Sequence, residues 1–93
     1  MQIDMLKKYY TYIALCSDKT LYTGITNNII AREKRHNQGF GSRYTRARLP
    51  IKIIYFEKFK TIKEAMRREI EIKSLTRTQK LHLINNKISK FKS

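Results

Sequence analysis

The sequence is poor in residues that staple, kink or loosen a chain. It holds one cysteine, one proline and three glycines, with no tryptophan, among 93 residues. With Cys16 alone no intramolecular disulfide can form, which excludes a disulfide-held scaffold and fits a reducing, cytoplasmic setting. Acidic residues are scarce too: 7 Asp and Glu stand against 21 Lys and Arg, a formal net charge of +14. Such an excess repels itself in the folded state and draws a polyanion, nucleic acid before an acidic membrane. No apolar run nears the roughly 18–20 residues of a bilayer span. Asp4 interrupts the N-terminus, so no signal peptide is expected either.

What remains is 41% hydrophobic residues, with six tyrosines and four phenylalanines. That is ordinary for a globular chain, and at this length it predicts a single domain. No repeats or linkers interrupt it. Residues 1–6 read as a loose start, and the polar, basic tail from about residue 86 should fray.

Tyr9 to Leu15 and Leu21 to Ile25 read as strands, joined into an antiparallel hairpin by the polar Ser17-Asp18-Lys19-Thr20. Period two puts Tyr10, Tyr12, Ala14 and Cys16 on one face, leaving Thr11, Ile13 and Leu15 for the core. Tyr22 and Gly24 share a face of the second strand. Opposed residues lie within about 5.5 Å, so two phenols can converge, with Gly24 leaving space beside them. Cross-strand aromatic packing is the plainer account of Tyr12 and Tyr22. Asn27 or Asn28 caps the next helix, where Arg32 and His36 lie four apart on one side. Tyrosines, an arginine and a histidine converging suit a phosphate.

Gln38 to Pro50 lacks any helical or strand period. Its Arg43, Tyr44, Arg46 and Arg48 interleave cations with an aromatic, suited to a nucleic-acid backbone and one stacking platform, or simply to a solvated loop. Ile51 to Phe59 is dense enough in apolar residues to predict a central strand buried on both faces. Thr61 and Glu64 form a capping box opening a helix to about Ser74. At 100° steps Ile62, Ala65, Met66 and Lys73 face inward, Ile70 and Ile72 sit at the edges, and Glu69 falls mid-stripe. Arg67, Arg68 and Glu71 face outward. A buried, unpaired carboxylate would cost several kcal/mol. Glu69 therefore either pairs with Lys73, four residues on, or binds a divalent metal through oxygen. Thr76 and Gln79 open one more helix.

The ordered set resembles the GIY-YIG nuclease superfamily, in particular its small single-domain bacterial members of the UPF0213 type. Tyr10-Thr11-Tyr12 stands at the family's first triplet and Tyr22-Thr23-Gly24 at the second. Arg32 falls at the helix arginine, and His36 at a position that is His or Tyr in different branches. Glu69 matches the single metal-binding glutamate in type, order and spacing. The loop after Gly39 and the run from Lys73 to Lys80 resemble the small bacterial members as well.

The resemblance implies an α/β (α+β) fold, a three-stranded mixed or antiparallel sheet flanked by about three helices. It also implies metal-dependent hydrolysis of phosphodiester bonds in DNA more than RNA. Glu69 would hold one Mg²⁺ or Mn²⁺, Arg32 would brace the phosphate, Tyr12 would act as general base, and Tyr22 would orient phosphate or water. His36 would relay the proton. A phenol near 10 needs a shift of about 3 units to act as a poised base, of which Arg32, His36 and the metal would supply a part. Gly24, Arg35 and Lys73 join Arg43, Tyr44, Arg46 and Arg48 as expected nucleic-acid contacts. Ile25 stands where some relatives carry an activating lysine, which shifts that burden to His36. There is no room for a separate DNA-binding domain, so targeting would fall to a protein partner. The competing reading is a basic nucleic-acid-binding module that keeps the fold without catalysis.

Overall fold

The computed structural model describes residues 8–92, so the loose start expected over 1–6 lies outside the described residues. β1 (Tyr9–Leu15) and β2 (Leu21–Thr26) form the expected hairpin. Asp18 makes its turn, accepting the Thr20 amide at 3.1 Å and the Thr20 hydroxyl at 2.6 Å. β3 (Lys52–Phe59) pairs with the other edge of β1, giving an antiparallel sheet of order β2-β1-β3. Around it lie α1 (Ile29–Asn37), α2 (Arg43–Arg46), α3 (Ile62–Lys73) and α4 (Arg77–Lys92). The fold is the expected α+β sheet with helices, in its antiparallel form and with the one-turn α2 added. Among the described residues no helix is long and apolar enough to cross a membrane.

The central strand is β1, not the apolar run after Pro50. Thr11, Tyr12, Ile13 and Ala14 are buried in succession, whereas β3 is an edge strand exposing Lys52, Phe56 and Lys58. Two things absorb the apolar density of β3. Its side chains divide between both faces, Ile53 to one cluster and Tyr55 to the other. Its edge is covered by α1, where Glu33 accepts the Ile53 amide at 2.7 Å. Asn37 exchanges two bonds with Ile51, at 2.8 and 3.0 Å. Those contacts occupy groups that an open edge would offer to another chain.

The sheet carries core on both faces, so the expected division into a core side and a tyrosine-lined cleft holds for one half only. Ile13, Tyr55, Ile72 and Ile84 pack on the α3–α4 side. On the other side Tyr12, Ala14, Cys16 and Ile51 pack together with Tyr22 and Ile29.

α3 begins at the expected capping box, with the Glu64 amide on Thr61 Oγ1 and the Thr61 amide on Glu64 Oε1, each at 3.2 Å. Its inward stripe is rotated from the predicted one. Ala65 and Ile72 are buried, while Ile62, Met66 and Ile70 are 50%, 48% and 69% exposed. The face that meets the sheet is Ala65, Arg68, Glu69 and Ile72, at i, i+3, i+4 and i+7. Arg68, expected on the outer face, instead turns to the sheet and forks onto Glu57 at 2.9 and 3.0 Å. The Thr76–Gln79 box opens α4, whose backbone is helical over Arg77–Lys92.

Candidate active site

Tyr12 lies directly opposite Gly24 in the β1–β2 ladder. A Cβ on Gly24 would sit 2.6 Å from the Tyr12 hydroxyl, so the space beside the glycine is not open: the phenol fills it. The Asn28 side chain caps α1 by accepting the Ala31 amide at 3.0 Å. This aims Arg32 and His36 at the same phenol. Arg32 Nε donates to the Tyr12 oxygen at 3.3 Å, and the Tyr12 hydroxyl lies 2.7 Å from His36 Nε2. Arg32 Nη2 donates to the Gly41 carbonyl at 3.3 Å. Four of the residues singled out from sequence therefore form one cluster, since Tyr22 packs on the Tyr12 and His36 rings with centroids 6.3 and 5.5 Å away.

Two expectations about Tyr12 change. It is fully buried rather than lining a cleft, while Tyr22 is half-buried. Its phenol is also held above its ordinary value of 10, not below it. Burial is the largest cause; the hydrogen bond and charge of Arg32 act in the expected, lowering direction and are outweighed. His36 is fully buried and held below 6.5, first by desolvation and then by the charge of Arg32, so its imidazole stays neutral.

Glu69 projects from α3, which packs on the opposite face of the sheet through Ala65, whose carbonyl accepts the buried Thr11 hydroxyl at 2.8 Å. Its direct partner is Lys73 at 3.2 Å, the plainer of the two accounts the sequence allows. Its side chain is 21% exposed. Its negative charge still bears on the site, being among the influences that raise the Tyr12 phenol. The hairpin and α1 thus meet directly, and the Glu69 carboxylate on α3 is near enough for its charge to act on Tyr12. Among the described residues no group of three or more His, Cys, Asp or Glu gathers for a metal ion. A single carboxylate fits Mg²⁺ or Mn²⁺, which take one or two protein oxygens and complete their shell with water and phosphate. Ile25 lies opposite Thr11, on the α3 side, away from His36.

The segment after α1 is more ordered than its lack of period implies. Ser42 caps α2, its Oγ accepting the Thr45 amide at 3.1 Å. Tyr44 is not a vacant platform, because it stacks on Tyr22 at 6.0 Å and carries the Arg48 guanidinium 3.8 Å over its ring. Arg48 is further tied to Asp18 at 3.0 Å. Arg35, Arg43 and Arg46 are exposed, as is Lys73 apart from its bond to Glu69. Sequence reasoning passed over Gly41, Ser42 and Thr45, which surround His36, and Phe40, 64% exposed beneath the Arg35 guanidinium. The Ser-x-x-Thr spacing of a helix cap was the available signal.

Residues 8–82 match the GIY-YIG catalytic domain, and the chain belongs to the GIY-YIG family, a nuclease superfamily. Within it the chain is similar to UPF0213 proteins. One from Clostridium perfringens is 55% identical, covering 84% of each chain. One from Staphylococcus haemolyticus is 48% identical over 88% of this chain and all of its own. The solution NMR structure of a UPF0213 protein from Bacillus halodurans, 40% identical, superposes with a TM-score of 0.57 over 86% of this chain and 85% of that one.

Proposed function

We propose that the chain is an endonuclease hydrolysing phosphodiester bonds in DNA, non-specifically or by structure, with one Mg²⁺ or Mn²⁺ at Glu69. The observation that carries this reading is the hydrogen-bonded Arg32–Tyr12–His36 chain, fully buried at Tyr12 and His36, beside the half-buried Tyr22. Arg32, fixed through Nε and Nη2, keeps its Nη1 group for a phosphate oxygen. Tyr22 orients the phosphate or the attacking water at the mouth. Because burial keeps Tyr12 protonated, it serves as base only in concert: its oxygen takes the proton of a water arriving from the Tyr22 side as its own proton passes to His36 Nε2. The metal would be held by Glu69 and would neutralise charge at the phosphate and leaving oxygen. Exposed Arg35, Arg43 and Arg46 hold the backbone on either side.

A second reading, a binder without turnover, is favoured by the complete burial of Tyr12 and by the Glu69–Lys73 pair. Plasmid and single-stranded DNA incubated with Mg²⁺ or Mn²⁺ separate the two. The nuclease reading expects cleavage that Glu69→Ala and Arg32→Ala abolish while binding persists. Cleavage surviving equally in both variants would assign it to a contaminant and leave the binder.

A further inference from the structure

We propose that Thr45 is a positioning residue: its hydroxyl, locked by Ser42, fixes His36 as the Nδ1-protonated tautomer and keeps the Nε2 lone pair on the Tyr12 hydroxyl. The consequence for cleavage rests on the nuclease reading above; the hydrogen-bond chemistry does not.

The argument is a count of donors and acceptors. Thr45 Oγ1 has one hydrogen and two lone pairs. It lies 3.2 Å from the Ser42 carbonyl, 2.9 Å from Ser42 Oγ and 2.8 Å from His36 Nδ1. A carbonyl only accepts, so the contact to the Ser42 carbonyl, which also takes the Arg46 amide at 3.0 Å, can form only with the Thr45 hydrogen. Ser42 Oγ already accepts the Thr45 amide and can give its own hydrogen to Thr45 Oγ1. One lone pair of Thr45 remains, and Nδ1 must donate to it. Neutral imidazole then has a bare Nε2, which accepts from the Tyr12 hydroxyl; the Tyr12 oxygen in turn accepts from Arg32 Nε, a group that only donates. Every member of the chain is satisfied in this one arrangement. The opposite tautomer would take the Thr45 hydrogen from the Ser42 carbonyl, which would keep only the Arg46 amide. It would also set Nε2–H and Arg32 Nε both donating to the Tyr12 oxygen, with no acceptor for the Tyr12 hydrogen.

Packing holds the ring in place for this. Gly41 lies so close that a Cβ there would be 1.9 Å from His36 Nδ1, and Thr45 is itself fully buried. Phe40 and Arg35 lie outside this network. The device needs a serine and a threonine three apart at the start of α2, which is what Ser42-Arg43-Tyr44-Thr45 supplies.

The test reads the tautomer directly, from ¹⁵N–¹H correlations of the imidazole nitrogens in the labelled full chain. A His82→Gln background removes the other, exposed histidine. The unaltered site is expected to show Nδ1 protonated and Nε2 bare. Thr45→Val should move the population toward Nε2–H, and Thr45→Ser should restore it. In the cleavage assay Thr45→Val should lower kcat about 10²-fold or more with KM little changed, and Thr45→Ser should recover it. An Nε2-protonated ring in the unaltered site overturns the proposal whether or not Thr45→Val folds. A tautomer indifferent to Thr45→Val overturns it as well. Because the spectra need no turnover, a chain that cleaves nothing removes the nuclease reading and leaves the tautomer to be decided on its own.

Discussion

Gly24 and Gly41 are the residues on which the closeness of the site depends. Each faces the polar end of a buried ring, with no room for a methyl group: 2.6 Å to the Tyr12 hydroxyl and 1.9 Å to His36 Nδ1. Gly41→Ala should cost about 1–3 kcal/mol by overpacking, read by urea unfolding, and should displace His36 from Tyr12. An unchanged midpoint would mean that the loop yields freely. Acid should act on the same histidine. His36 is held below 6.5 in the folded chain, so between that lowered value and 6.5 the unfolded chain binds more protons. Its contribution is therefore complete above 6.5 and is lost as pH falls through 6.5 towards the native value. His36→Gln should flatten that part of the stability–pH curve, and a curve parallel to that of the unaltered chain would rule the account out. Among the described residues Thr23 Oγ1 is the buried side-chain atom with no partner. Thr23→Val keeps the shape and removes the orphan, which should raise stability by about 1 kcal/mol. A loss on chemical denaturation would point to a hidden partner for that hydroxyl.

At the level of elements, local chemistry was legible in the sequence and lateral placement was not. The hairpin turn, the Asn28 cap and both capping boxes depend on residues within four positions of one another, and all four were found where their spacing put them. Tyr12, Tyr22, Arg32 and His36 could likewise be brought together from strand and helix periods. Which strand lies in the middle depends on pairings across the chain. Apolar density misplaced β3 because an edge covered by Glu33 and Asn37 of α1 has the same composition as a centre. The orientation of α3 was misjudged for a similar reason. Hydropathy cannot anticipate that Glu57 on β3 draws Arg68 inward and turns Ile62, Met66 and Ile70 toward water. That pair, with side chains 30% and 24% exposed, ties α3 to β3 on the face away from Tyr12 and Tyr22. Arg68→Ala should cost about 1–2 kcal/mol, as expected for a charge-assisted fork, and should leave any cleavage of DNA unaltered. A variant of normal stability, or one that selectively loses cleavage, would contradict this assignment.

For the molecule as a whole, a formal charge of +14 and a Glu69 whose charge is already paired with Lys73 point to a division of labour between holding and cutting. Holding should be a counterion effect. Arg32, Arg35, Arg43 and Arg46 lie in α1 and α2, and if they and neighbouring lysines neutralise about six phosphates, log K should fall with log salt at a slope of roughly −5 for duplex DNA. Arg48, already engaged by Asp18 and Tyr44, should add little to that slope. Glu69 contributes a negative charge paired with Lys73, so Glu69→Ala should leave the slope unchanged, bind DNA as tightly or slightly more so, and still lose turnover. The measurement is a salt titration of binding by fluorescence anisotropy, made beside a cleavage assay on the same preparations. Affinity indifferent to salt would show that charge is not what recognises the nucleic acid. Binding and cleavage lost together on Glu69→Ala would place that residue in the structure of the binding face rather than in the chemistry.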